Sequence, residues 1–144
     1  MSSSPRRRSR EFALQGLYQW LLSATDPDAI RAQLADSGGF AKCDAAFFET
    51  LWHGVSGDFD ALLAALAPYL DRAPHQLSPI EKAVLVIAAW ELLRFPEVPY
   101  RVVIDEAVEL TKAYGGTDGH KFVNAVLDKL AAAARAPEVS AARA

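Results

Sequence analysis

The densest group of side chains that could bind a ligand lies at the start of the chain. Four arginines occur within five positions there, at Arg6, Arg7, Arg8 and Arg10. A guanidinium group donates two parallel hydrogen bonds to a phosphate, so this group is suited to binding a polyanion such as nucleic acid. The residues alone leave a second interpretation open, in which the arginines form a solvated tail that only aids solubility.

The arginines are separated from an acidic remainder of the chain. The protein has 15 Lys and Arg residues against 18 Asp and Glu residues, which gives a net charge of -3. Residues 1–10 contain four of the basic residues and none of the acidic ones, leaving 11 basic against 18 acidic residues elsewhere, a net charge of -7. Because salt screens charges over about 10 Å, a local basic segment attracts a polyanion despite the negative total.

The residue types that usually carry catalysis or bind metals show no recognisable spacing. The three histidines, His53, His75 and His120, are scattered, and the sequence has neither a CxxC nor an HExxH pattern. The glycine-rich run at 115–119 lacks the preceding strand and the lysine of a phosphate-binding loop, so we interpret it as a turn between helices. We therefore expect no enzymatic activity, no metal ion and no cofactor.

A second candidate for ligand binding is an aromatic side chain near the end of the chain. Single-stranded nucleic acid is bound by cations together with aromatic rings on which its bases stack. Phe122 follows His120 and Lys121 and lies about 100° around the helix from Val123, which belongs to the apolar stripe. The periodicity leaves both alternatives open for Phe122: an exposed basic and aromatic patch, or a place in the core.

The elements that must position these residues are helical. Apolar residues recur at steps of three and four, and no stretch alternates with the period of two that is typical of a strand. The helix starts are marked by Asp26-Pro27, by Asp44, and by Ser78-Pro79-Ile80-Glu81, where Ser78 and Glu81 fit a capping box. The sequence predicts an all-α fold of about seven helices, with the helix after Glu81 the most buried and a frayed tail after Pro137.

Three features of the sequence concern the compartment. The lone cysteine, Cys43, cannot form an internal disulfide, which indicates a reducing environment. Gln15 and Gln19 interrupt the apolar residues that follow the arginines, so the N-terminus does not fit a secretory signal. No stretch reaches the apolar length that a bilayer requires. We expect a cytoplasmic protein without membrane contact.

Three segments of the sequence resemble the NusB family. The segment VPYRVVIDEAVELTKAYGGTDGHKFVNAVLDKLA resembles the family's C-terminal signature, PRRRSREFALQGLYQWLLS its N-terminus, and PIEKAVLVIAAWELL its central helix. The resemblance is weakest at residues 24–45 and after Arg135, and the chain departs from the family pattern at Pro79, Gly116 and Gly119. It implies an all-α fold of two packed helical bundles, at about residues 6–72 and 77–135, with a disordered tail at 136–144.

The resemblance implies a transcription antitermination factor. Members of the family bind boxA, a short single-stranded RNA element of ribosomal RNA leaders, together with a ribosomal small-subunit protein that doubles as NusE. With NusA and NusG, the pair helps to load an antitermination complex onto RNA polymerase. The family includes monomers and homodimers, so the resemblance leaves the oligomeric state open. The alternative is a helical scaffold that binds proteins without binding RNA.

The resemblance also implies roles for individual residues. Asp118 matches a position that tunes RNA affinity, although it is also a candidate helix N-cap. Glu81 matches a position in the NusE interface, and its place in the capping box is an equally good explanation. Tyr18 matches a functional position on the polar face of the first helix, and it serves either RNA or NusE. The residues assigned to the RNA surface are Arg6, Arg7, Arg8, Arg10, Tyr18, Asp118, His120, Lys121 and Phe122.

Overall fold

A computed structural model describes residues 4–116 and 118–144, and this part of the chain contains eight α-helices and no strand. The all-α prediction is thus confirmed, with one helix more than expected. Short 3₁₀ turns lie at Phe40–Lys42, Ala67–Tyr69 and Pro74–Gln76. The helices are α1 (Pro5–Ser23), α2 (Pro27–Ala35), α3 (Ala45–Gly57), α4 (Phe59–Leu66), α5 (Pro79–Arg94), α6 (Tyr100–Tyr114), α7 (Gly119–Ala134) and α8 (Ala136–Arg143).

The arginine-rich segment is helical. The Ser4 hydroxyl accepts a hydrogen bond from the backbone N–H of Arg7 at 3.1 Å, and Pro5 occupies the first turn. A serine N-cap followed by proline is a favourable helix start, because both residues suit the unpaired N–H groups of the first turn. Helix α1 therefore holds all four arginines at fixed positions around its axis, so they do not form a solvated tail.

The predicted helix starts of α3 and α5 are also capped by side chains. The Asp44 carboxylate accepts from the N–H of Phe47 at 3.0 Å, and the Ser78 hydroxyl accepts from the N–H of Glu81 at 3.1 Å. The second half of the predicted capping box, a bond from the Ser78 N–H to the Glu81 side chain, is absent from the hydrogen bonds of the described residues. Glu81 is therefore available for another contact.

Helix α5 is the centre of the molecule, as predicted. Residues 83–92 are all buried, and α5 packs against α1, α3, α4, α6 and α7. The buried apolar side chains form one continuous core that includes residues from both halves of the chain. The division into two bundles remains a prediction, since this core joins the two halves.

The C-terminal segment is ordered as a helix rather than a frayed tail, which corrects the prediction for residues 136–144. Pro137 lies in the first turn of α8, where proline is tolerated. Val139 is buried, and the Glu138 carboxylate accepts from the backbone N–H of Tyr100 at 2.8 Å. These contacts attach α8 to the start of α6. Within the described residues, no helix is long and apolar enough to cross a membrane.

Candidate RNA and partner interface

Arg6 and Arg7 are partly exposed, and each contacts other side chains of the protein. The Arg6 guanidinium lies 4.7 Å from the centre of the Phe47 ring, and its Nε is 3.5 Å from a carboxylate oxygen of Asp44. Arg7 donates two hydrogen bonds to Glu106, at 2.8 and 3.2 Å. The Arg7 contact has the bidentate geometry that a phosphate would require. A phosphate must therefore compete with Glu106 for Arg7.

Arg10 corrects the sequence-based assignment, because its guanidinium is buried. Its Nε and Nη2 donate to the two carboxylate oxygens of Glu91 at 2.9 and 2.8 Å, and the Arg10 side chain is 4% exposed. The guanidinium also lies 5.0 Å from the centre of the Phe47 ring. The pair joins α1 to the central helix α5. In this structure Arg10 has no surface for RNA, and its role is structural.

Arg8, like Arg7, faces a groove. It lines a cavity of about 260 Å³ together with residues of α1, the α2–α3 connection and the end of α6. In the described part of the chain, no carboxylate lies within ion-pair distance of the Arg8 guanidinium. Arg8 can therefore donate to a phosphate without first leaving an ion pair, which separates it from Arg7 and Arg10.

An adjoining groove of about 370 Å³ carries two exposed tyrosines. Tyr18 is 40% exposed and Tyr114 is 51% exposed, and both line this groove with Ile80. The Tyr114 hydroxyl donates to the Glu11 carboxylate at 3.0 Å. Burial and this hydrogen bond raise the pKa of Tyr114, so the hydroxyl stays protonated at neutral pH and remains a donor. Because Glu11 and Tyr114 line both grooves, Arg8 and Tyr18 belong to one continuous surface.

The residues at the start of α7 form a separate, exposed group. Asp118 is the N-cap residue by position, but its side chain makes no capping hydrogen bond within the described residues. Instead, its carboxylate lies 3.5 Å from the Lys121 ammonium, and both side chains are about three-quarters exposed (75% and 74%). His120 is half-buried. Asp118 thus partly neutralises the charge of Lys121.

The Phe122 side chain is neither fully exposed nor fully buried, so it matches neither of the two alternatives that the sequence left open. The ring is half-buried and packs against the core. The Arg72 guanidinium lies over it, 4.1 Å from the ring centre, and Arg72 also donates two hydrogen bonds to Asp71, at 2.7 and 3.3 Å. The contact of Arg72 with Phe122 was not predictable from the sequence, because no helical period relates residues on different elements.

Glu81 lies beside the start of α7. A Cβ atom placed on Gly119 would be 2.9 Å from a carboxylate oxygen of Glu81, so a larger residue at 119 requires Glu81 to move. The close approach of Glu81 explains why glycine suits position 119 in this chain. Glu81 follows Ile80, which lines the tyrosine groove. The predicted NusE contact is thus next to both the groove and α7.

The structure therefore brings together only part of the predicted surface. Arg8 and Tyr18 line adjoining grooves, Glu81 adjoins the start of α7, and Arg10 is buried inside the protein. Tyr114 was not identified from the sequence. Its position at the end of α6 gave no signal, because its partner Glu11 is 103 residues away along the chain.

Comparisons with known proteins agree with this architecture. The chain matches the model of the NusB family over residues 7–132. It is 54% identical to the transcription antitermination protein NusB of Ralstonia pickettii (strain 12J) over 142 residues, covering 99% of this chain and 92% of the relative. It is 57% identical to the protein of the same name from Paraburkholderia phytofirmans over 140 residues, covering 97% of each.

Solved structures show the same fold. NusB of T. maritima is 30% identical with a TM-score of 0.79, covering 90% of this chain and 92% of that one. A structure of the antitermination factors NusB and NusE in complex with dsRNA has a TM-score of 0.80 at 22% identity, covering 88% of this chain and 96% of that one. The match over residues 7–132 and the identity of more than half to full-length relatives establish that the chain belongs to the NusB family.

Proposed function

We propose that this protein is a cytoplasmic transcription antitermination factor that binds boxA single-stranded RNA together with NusE. Relatives that share more than half of its sequence carry the name transcription antitermination protein NusB. A NusB of the same fold has been solved together with NusE and RNA. In the proposed assembly the complex of this protein with NusE joins NusA and NusG on RNA polymerase. Before it binds NusE, this protein is either a monomer or a homodimer that dissociates.

One observation carries the RNA-binding part of this proposal: an arginine of α1 without an ion pair in the described residues lies on the same surface as two exposed tyrosines, Tyr18 of α1 and Tyr114 of α6. Arg8 is free of ion pairs within the described residues and lines a groove that continues to Tyr18 and Tyr114. Cations that bind phosphates, combined with rings that stack on bases, are the features by which proteins bind single-stranded RNA. Arg6 and Lys121 lie outside the groove, and each is 3.5 Å from a carboxylate oxygen, of Asp44 and of Asp118 respectively. Arg7 becomes free to bind a phosphate when it leaves Glu106.

We assign Glu81 to the NusE interface. Its backbone N–H is satisfied by Ser78, and its carboxylate is not used in the capping box, so the side chain is free to act at the surface. Tyr18 lies in the adjoining groove with Ile80, where it could contact either partner. Glu81→Lys should weaken NusE binding more than it weakens the RNA binding of this protein alone.

The test is RNA binding measured with and without NusE at two salt concentrations. Arg8→Ala should weaken binding of a boxA RNA several-fold and reduce the slope of log affinity against log salt by about 0.7, the value for one phosphate contact on a single strand. Arg143→Ala is the matched control, since it removes the same charge from the end of α8. Equal affinity and equal slope for both variants and the wild type would contradict the RNA-binding role of Arg8.

The alternative, a scaffold that binds NusE but no RNA, also has a specific observation in its favour. Three of the four N-terminal arginines contact carboxylates of the protein itself: Arg6 contacts Asp44, Arg7 contacts Glu106, and Arg10 contacts Glu91. Under this alternative the wild-type protein binds NusE but does not bind boxA RNA even at low salt. The same measurement therefore separates the two functions.

A further inference from the structure

Arg72 and Phe122 form a two-layer stack between different elements of the fold. The guanidinium of Arg72, which follows α4 by six residues, lies 4.1 Å from the centre of the Phe122 ring on α7. At this separation the planar cation is in contact with the ring, as in a cation–π pair. No nucleobase fits between the two groups. A base that stacks on this face of Phe122 must first displace Arg72.

The position of the guanidinium is fixed by a second contact. Asp71 accepts from Nε and Nη2 of Arg72 at 2.7 and 3.3 Å, so the ring and the carboxylate together hold the guanidinium. These hydrogen bonds lower the pKa of Asp71, so the pair remains ionised at neutral pH. The Arg72 side chain is 39% exposed even in this arrangement. The guanidinium is thus held by two contacts and remains partly exposed.

The inner layer of the stack is the one that the core supports. Phe122 is half-buried and packs against the core of the protein. The Phe122 ring therefore contacts both the core and Arg72. An arginine plane supported in this way is a stacking surface for bases, which pack on guanidinium groups as well as on aromatic rings.

We propose that Arg72 is an RNA-binding residue that stacks the outer face of its guanidinium on a nucleobase, with Phe122 as the platform behind it. This inference rests on the proposed function, since it assumes that the protein binds single-stranded RNA. It changes the role expected for Phe122, which supports the stacking group and is not itself the outermost surface. Asp71 orients the guanidinium and leaves its outer face free.

The test compares Arg72→Ala and Arg72→Lys for binding of a synthetic boxA RNA by the complex with NusE. Arg72→Ala should weaken binding at least fivefold, which corresponds to the loss of one stacked base. Arg72→Lys keeps the charge but has no planar face, so its salt dependence should equal that of the wild type while its affinity stays at least threefold weaker. Arg94→Ala is the matched control, because Arg94 is another exposed arginine paired with an aspartate, Asp58, at 3.3 Å.

Phe122→Leu provides a second, independent measurement. Leucine keeps the apolar contact with the core but lacks the aromatic face that supports the guanidinium. The double variant Arg72→Ala with Phe122→Leu should lose less affinity than the sum of the two single losses, since both variants disrupt the same stack. Circular dichroism of each variant confirms that the fold is retained.

The outcomes separate this inference from the proposed function. If the wild-type complex binds no boxA RNA, the proposed function fails and the inference fails with it. If the wild type binds and Arg72→Ala binds equally well, the inference alone is wrong. If Arg72→Lys binds the RNA as tightly as the wild type, the inference is also wrong. The residue would then act only through its positive charge, for example on a phosphate. Additive losses in the double variant would overturn the platform role of Phe122.

Discussion

At the scale of single residues, the Arg7–Glu106 pair holds a guanidinium in the geometry of a phosphate contact. Two hydrogen bonds, at 2.8 and 3.2 Å, occupy the Arg7 donors. Glu106→Gln removes the competing charge, so it should tighten binding of boxA RNA by about 0.2–1 kcal/mol, the range for a partly exposed ion pair. The measurement is RNA affinity at low salt, where the effect is largest.

Asp105→Asn is the control for this prediction. It removes the same charge from the neighbouring position of α6, but Asp105 lies 4.0 Å from Arg101 and does not hold Arg7. A similar gain in affinity for Asp105→Asn would mean that general charge, rather than release of Arg7, explains the effect.

Arg10 is the arginine whose burial the sequence-based interpretation did not predict. The sequence did contain a signal, because Arg10 lies three, four and seven residues before Ala13, Leu14 and Leu17, all of which are buried on α1. A charge on the buried face of a helix requires a buried partner. The identity of that partner, Glu91, could not be predicted, since it is 81 residues away on another helix.

At the scale of elements, Arg135 at the junction of α7 and α8 completes the end of another helix. Its guanidinium donates to the backbone carbonyls of Glu91 and Leu92 in the last turn of α5, and to that of Phe95, at 2.8 to 3.2 Å. The last carbonyls of a helix lack intrahelical partners, so a buried arginine that bonds to them stabilises the helix end. The sequence predicted a frayed tail because this contact joins residues about 40 positions apart, and no local pattern indicates it.

The Glu138 carboxylate links α8 to the start of α6 and to Arg135, and this link should depend on pH. Glu138 accepts from the Tyr100 N–H and from Arg135, and these bonds lower its pKa below the ordinary value of 4.5. A carboxyl with a lowered pKa in the folded state stabilises the protein above its ordinary pKa. This contribution is lost as the pH falls through the folded-state pKa.

Glu138→Gln should therefore lower the free energy of unfolding by about 1 kcal/mol at neutral pH, since the amide can still accept from Tyr100 but carries no charge. The difference from the wild type should shrink as the pH falls below 4.5, the ordinary value. Urea unfolding at several pH values measures this. Glu97→Gln, at an exposed position in the loop after α5, is the control. A difference that stays constant from neutral to acidic pH would contradict the electrostatic explanation.

At the scale of the whole molecule, the helical pattern was predictable and the contacts between helices were not. The caps at Asp44 and Ser78 and the buried period of α5 are local features, and each was recognised from nearby residues. The candidate surface depends instead on pairs such as Glu11 with Tyr114 and Arg72 with Phe122, which join separate elements. Tertiary packing sets these pairs, so a single sequence does not reveal them.

The continuous core predicts that the two halves of the chain unfold together. Helices α1, α3 and α4 contact α5 from one half, and α6 and α7 contact it from the other, with an Arg10–Glu91 pair buried between α1 and α5. Chains of this size with one core usually unfold in a single transition. We therefore expect far-UV circular dichroism and tryptophan fluorescence to give superimposable unfolding curves.

A substitution far from the tryptophans of the first half tests this coupling. Leu127 is fully buried in α7, and Leu127→Ala should destabilise the protein by about 2–5 kcal/mol. Trp20 and Trp52 report on α1 and α3, and Trp90 reports on α5, so the whole fluorescence transition should shift together with the loss of helix. Leu22→Ala is the control, because Leu22 is 61% exposed and its removal should change stability by less than about 0.5 kcal/mol. If Leu127→Ala shifts only part of the circular dichroism signal and leaves the Trp20 and Trp52 part of the fluorescence transition in place, the two halves unfold independently and the shared core does not couple them.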